Sequence, residues 1–162
     1  MAMSLKAKGL DDLITALHQL DMDTEGIISA AMYDGAGMIL DAIKKEIEQL
    51  PEDNGYKKPG DLRDVVTSDE KKDLLTHIGI ARYTKKGGSV HTAIGFNGYS
   101  SHRTKKYPNG VPITILARSI ESGSSVRKKR PFVRTAVKNV QEQVTAMMQE
   151  KMAEEIAKKM EG

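Results

Sequence analysis

Apolar residues along this chain follow two periods, and the change from one to the other divides it. From residue 9 to residue 50 they recur every three or four positions, the spacing of one helix face. Leu10, Leu13, Ile14, Leu17 and Leu20 predict a short helix, with Asp11 and Asp12 in its first turn, where negative charge suits the helix dipole. Ile27, Ile28, Ala31, Met32, Ile39, Ile43, Ile47 and Leu50 predict a long second helix, capped by Asp23 or Thr24. Gly35 and Gly37 interrupt it, which fits either close packing against another helix or a kink. Pro51 stops it. Residues 51–68 read as a polar loop with turns at Asn54-Gly55 and Pro59-Gly60, then a short helix entered at Asp61 and carrying Leu62, Val65 and Val66. The run TSDEKKD reads as a turn.

From residue 74 to residue 96 the period drops to two. LLTHIGIA and SVHTAIGF each alternate with one apolar face, the pattern of a half-buried antiparallel sheet, and TKKGGS between them reads as a hairpin loop. A polar loop rich in bases follows over 97–111. The helical period then returns twice. Pro112 opens a helix over 112–122 with Ile113, Leu116, Ala117 and Ile120 on one face, and Gly123 is its natural terminator. Pro131 opens a last helix over 131–160 with Phe132, Val133, Ala136, Val137, Val140, Val144, Met147 and Met148 as its stripe. The expected fold is α+β: one domain over 1–162, with a small antiparallel β-sheet packed by a long N-terminal helix and a long C-terminal helix.

Charge is where composition changes the picture. The net charge is only +3, yet residues 74–136 hold twelve Lys and Arg against one acid, Glu121. Residues 1–73 hold sixteen acids and nine bases, and residues 137–162 five acids and four bases. A basic middle between acidic ends fits a polyanion contact, head-to-tail association of copies, or a merely solvated surface. The bases cluster at Lys57-Lys58, at Lys85-Lys86, at Arg103 with Lys105 and Lys106, and at Arg127, Lys128, Lys129 and Arg130. The last two clusters are the candidate contacts for a partner or for DNA, and Tyr99 and Tyr107 flank the first of those two.

Candidate chemistry is thin. There is no cysteine, so disulfides and thiolate metal sites are excluded. His18, His77, His91 and His102 are scattered; His77 and His91 become cross-strand neighbours if the hairpin pairs as drawn, but acids are scarce there. Ser122, Ser124 and Ser125 lie beside Gly123 without a nucleophile elbow, and no phosphate-binding glycine loop is present. Asp11-Asp12 and Glu154-Glu155 are adjacent on helices, so their side chains diverge. No unbroken apolar run has the length of a membrane span, and MAMSLKAKGL lacks the apolar core of a secretory signal. Synthesis in the cytoplasm, no cofactor and no membrane partner are the expectations.

A resemblance adds more than the chemistry does. It is carried, in order, by KGLDDLITALHQL, by a long helix ended at Pro51, by the run Gly60, Asp61, Leu62, Arg63, by two strands, and by ARSIESG and RPFVRTAV. In this order the chain resembles the head–tail joining or tail-completion proteins of the lambdoid HK type, which are neck or minor tail components of long-tailed phages. Leu62 matches that family's G-x-L-R entry, Glu121 and Gly123 its E-x-G signature, and Pro131, Phe132 and Ala136 its P-F-hydrophobic-x-x-A helix start. The family often has an aromatic before that glutamate, where this chain has Ile120. The resemblance implies a non-enzymatic structural part of a phage or prophage virion. Its partners would be copies of itself in a ring, other head-connector and tail proteins, and the double-stranded DNA passing through. Non-specific nucleic-acid binding by an accessory protein is the alternative that the basic clusters leave open.

Overall fold

The computed structural model describes Thr15 and residues 24–56, 60–87 and 89–161. The expected short helix carrying Leu10, Leu13, Ile14, Leu17, Leu20 and His18 lies outside the described residues, as do Asp23, Lys57, Lys58 and Pro59. Among the described residues the elements are α1 (Thr24–Glu48), α2 (Ser68–Thr76), β1 (Ile78–Ile80), β2 (Thr84–Lys86), β3 (Ser89–His91), β4 (Ile94–Phe96), α3 (Ile113–Ser122) and α4 (Phe132–Glu161). The fold is α+β, as the sequence pattern leads one to expect. The chain, expected as one domain, divides into two compact units. One holds residues 40–79 and 95–138; the other holds, among the described residues, 24–39, 80–94 and 139–161.

In the first unit, Ile43 and Ile47 of α1, Leu50, Val66, Leu74 of α2, and Ile78 are buried with Ile113, Leu116, Ala117 and Ile120 of α3 and Phe132, Val133 and Ala136 of α4. Each large aliphatic side chain so removed from water contributes about 1.5–3 kcal/mol. The chain's two phenylalanines meet edge to face, Phe96 and Phe132, with ring centroids 6.2 Å apart.

Two expectations fail in this unit. Residues 68–76 are a helix, where a turn and the start of a strand were expected. The reason is a capping box: the Thr67 hydroxyl accepts from the Glu70 N–H at 3.1 Å, and the Glu70 carboxylate accepts from the Thr67 N–H at 2.9 Å. Leu74, read as a strand residue, is fully buried on that helix. Nor do Leu62, Val65 and Val66 lie on a helix. Their segment is extended, forming isolated parallel bridges between Arg63 and Arg127 and between Glu52 and Val66.

In the second unit, α1 and α4 pack on each other. Ile27, Ala31 and Met152 form a buried cluster with Ile28 and Ile156 against it, and Asp34 pairs with Lys151. Gly35 resolves the choice between kink and close packing. A Cβ there would lie 2.8 Å from Met148 Sδ and 3.2 Å from Val144 Cγ1, so Gly35 serves helix contact, whereas Gly37 faces open space. Within Glu25–Glu48, 18 consecutive residues reach a mean hydropathy of 1.2, enough by length and composition to cross a membrane, although charged residues interrupt the apolar run. Its stripe of Ile27, Ala31, Ala36, Ile39, Ile43 and Ile47 is buried by protein, and a core helix meets the same test through the same composition.

The strands pair as two antiparallel couples, β1 with β4 and β2 with β3. The run TKKGGS is therefore not simply a loop: Thr84–Lys86 is a strand, Lys86 pairs with Ser89, and Gly87 takes φ +59 at the turn. His91 pairs with Thr84, and His77 is the C-cap of α2, so the two histidines are not cross-strand neighbours.

The β2–β3 hairpin is fastened to α1 by a polar network. The Tyr83 N–H donates to the Tyr33 hydroxyl, the Tyr83 hydroxyl donates to Glu25 at 2.8 Å, and Lys85 pairs with Glu25. Hydrogen bonds from Lys85 and Tyr83 hold the Glu25 carboxyl below the usual carboxylate range. The same carboxylate pushes Lys85 and Tyr83 above theirs. The depressed acid stabilises the tether above its unfolded value, and this is lost as pH falls through the lower folded value. The raised phenol and amine stabilise it below their unfolded values, and this is lost as pH rises through the folded ones. NMR shifts of the Tyr83 and Lys85 amides should thus stay constant from mildly acidic to mildly alkaline pH and move on both sides. Glu25→Gln should remove the acid step, and an acid step that survives it would refute this assignment.

Candidate functional site

Five of the residues that match motifs of the resemblance, Glu121, Gly123, Pro131, Phe132 and Ala136, meet at the junction of α3 and α4. α3 buries the line Ile113, Ala117, Glu121, with Leu116 and Ile120 beside it. Glu121 is fully buried. One of its oxygens accepts the Val133 N–H at 2.8 Å, and the other accepts the Arg134 N–H at 3.2 Å and pairs with the Arg134 guanidinium at 3.3 Å. A helix start leaves its first N–H groups without partners, and Pro131 has no side-chain acceptor to offer. Glu121 caps α4 from the neighbouring helix instead, with its charge at the positive end of the dipole.

The turn between the two helices makes this reach possible. Gly123 ends α3 at φ +78, and a Cβ there would sit 3.2 Å from the Lys129 nitrogen and 3.3 Å from the Arg127 carbonyl oxygen. The Arg130 N–H then returns to the Ile120 carbonyl at 2.7 Å. Phe132 and Ala136 are buried on the first turns of α4. Glu121, Gly123, Pro131, Phe132 and Ala136 thus build one joint. Leu62 stands apart from it and is 45% exposed.

The basic loop 124–130 splits into two kinds of cation. Arg127 is not available to a partner: its side chain is only 9% exposed, and its guanidinium donates to the Val65 carbonyl at 2.9 Å and to Glu70 at 2.7 Å. Glu70 also pairs with Arg63 at 3.4 Å. Arg130 is exposed but engaged, donating to the Asp64 carbonyl and lying 3.6 Å from the Asp64 carboxylate. The backbone adds a short bridge, with Arg63 N–H to Val126 C=O and Lys128 N–H to Arg63 C=O. Lys128 and Lys129 are exposed and form no ion pair among the described residues.

The loop 97–111 is closed at its base. Ser100 N–H donates to Val111 C=O at 2.8 Å, Val111 N–H to His102 C=O at 3.1 Å, and Ile113 N–H to Gly98 C=O at 3.0 Å. Asp73 of α2 accepts from both the N–H and the hydroxyl of Ser101. The tip carries Arg103, Lys105 and Lys106, all exposed and outside any ion pair among the described residues. Lys106 lies over the Tyr107 ring, 5.4 Å from its centroid.

No family model, curated protein or solved structure matches the chain. Among the described residues no three His, Asp or Glu side chains converge as metal ligands would. An open depression of about 320 Å³ lies between Glu46, Gln49, Leu50 and Pro51 on one side and Lys129, Arg130, Pro131, Phe132 and Thr135 on the other. Its lining holds one acid, Glu46, two bases, Lys129 and Arg130, and no histidine. Sequence reasoning missed Arg118, which stands exposed in mid-α3 on the line Thr114, Arg118, Ser122. The four-residue spacing of those three polar residues, opposite the apolar face, was the available signal.

Proposed function

We propose that this chain is a non-enzymatic structural component of a phage or prophage virion, joining head and tail or completing the tail as an oligomeric ring. The observation that carries this reading is the joint at Glu121. The residues matching the E-x-G and P-F motifs of the head–tail joining family form a single mechanical device, a buried carboxylate from one helix capping the next. The residues lie within sixteen positions of one another around one turn, and the joint supports the reading by giving both motifs a single structural role. The charge pattern supports the ring: a basic middle between acidic ends suits head-to-tail contacts, which close into cycles when the rotation allows.

The test is assembly. The purified chain, alone and mixed with the portal and tail-tube proteins encoded beside its gene, is followed by native mass spectrometry and electron microscopy. Rings on the end of the tube or on the portal are expected. A chain that stays monomeric and binds neither part overturns the proposal, and neighbouring genes that encode no virion proteins would weigh equally against it.

A further inference from the structure

We infer that α3 and its two flanking loops form a cationic strip that grips the phosphate backbone of double-stranded DNA without reading its sequence. The strip has three parts. At the N-terminal end of α3 stand Arg103, Lys105 and Lys106; in the middle stands Arg118; beyond the C-terminal end stand Lys128 and Lys129. All six are exposed, and none is in an ion pair among the described residues. A ten-residue helix sets the two ends about 15 Å apart, the axial rise of four or five base-pair steps at about 3.4 Å each.

What marks the strip is how little compensation it has. The single acid in residues 74–136 is Glu121, and it is buried in the cap of α4. Of the acids brought in from elsewhere, Glu70 is committed to Arg63 and Arg127, Asp64 to Arg130 and Asp73 to Ser101, and Glu46 lies across the depression from Lys129. Six exposed cations, none in an ion pair among the described residues and with Glu46 the one acid across the depression from Lys129, create a field that an external anion satisfies.

The composition selects the class of partner. Interfaces between proteins are depleted of lysine at their centres, whereas nucleic-acid interfaces are rich in Lys and Arg. Four of the six cations here are lysines. Single-stranded binders add a series of open aromatic platforms for base stacking. Here the Tyr107 ring is covered by Lys106, which leaves exposed Tyr99 by itself. A duplex backbone, contacted through charge alone, fits both facts. Charge and exposure carry this independently of any role in a virion.

The experiment is fluorescence anisotropy with a labelled random-sequence duplex of about 24 base pairs, from about 50 to 300 mM NaCl. Binding is expected at the low end, with log K falling against log salt at a slope near −5, from about 0.9 per phosphate for six contacts. Replacing Lys105, Lys106, Lys128 and Lys129 by alanine should bring the slope to about −2 and lower affinity at about 50 mM by tenfold or more. Each lysine pair removed by itself should give an intermediate slope, which guards against a folding defect in the fourfold variant. Lys72→Ala with Lys138→Ala, exposed lysines off the strip, should change little. No binding at about 50 mM overturns the inference, as does an equal loss from the control variant. Self-association of the chain that vanishes in the fourfold variant, with no affinity for duplex, would instead assign the strip to the acidic surface of another copy.

Discussion

Replacing Glu121 by alanine should destabilise the protein by about 2–4 kcal/mol, read from urea unfolding. The size follows from what is left behind. The Val133 N–H loses its acceptor in a buried site, the Arg134 N–H loses its own in a part-buried one, and the α4 dipole loses a charge of the right sign. Glu121→Gln separates these effects. Its amide oxygen can still accept one N–H, but its NH₂ then faces the other as donor to donor, so a loss of about 1–2 kcal/mol is expected. Hydrogen exchange should show faster opening in the first turn of α4 for both variants. A Glu121→Ala protein as stable as the parent would mean that the joint is not what holds α3 to α4.

Gly110→Ala should be comparably damaging, at about 3 kcal/mol or more. Gly110 adopts φ +106, and a Cβ built there would stand 2.2 Å from the Ser100 carbonyl oxygen. That oxygen is backbone and cannot swing aside as a side chain would. Moving it disturbs the closure at the loop base, where Ser100 and Val111 exchange bonds from N–H to C=O and from N–H to the serine hydroxyl. Gly37→Ala is the matched control. Nothing lies within 4 Å of its added methyl, and the residue is helical, so a gain of about 0.5–1 kcal/mol is expected. Equal effects at the two positions would contradict the described loop.

Much of the helical architecture could be read from periodicity, because α1 and α4 are long enough for the apolar stripe to repeat many times. α2 was hidden by its length. Nine residues show barely two turns of pattern, and Leu74-Leu75 followed by Ile78 and Ile80 imitates strand alternation. The cue that outweighed it was the Thr67–Glu70 capping box, a local signal independent of length. The candidate site divides along the same line. Gly123 and Pro131 announce themselves because backbone geometry is a property of the residue. The difference between Arg127 and Lys128 does not, since their neighbours in sequence are alike. It is set by Glu70, 57 residues earlier, which reaches one and not the other.

That separation has a consequence for the chain as it leaves the ribosome. At about 5–20 residues per second, the interval between making Glu70 and making Arg127 is about 3–11 s. Throughout it, the extended segment from Arg63 to Val66 has no Val126 or Lys128 to bridge to, and the Glu70 carboxylate has no Arg127. The first unit cannot close on the nascent chain until α3 and the loop beyond it have emerged. Its order of assembly is therefore constrained by synthesis: the basic loop comes late, and the first turns of α4, with Phe132, Val133 and Ala136, close the unit after it.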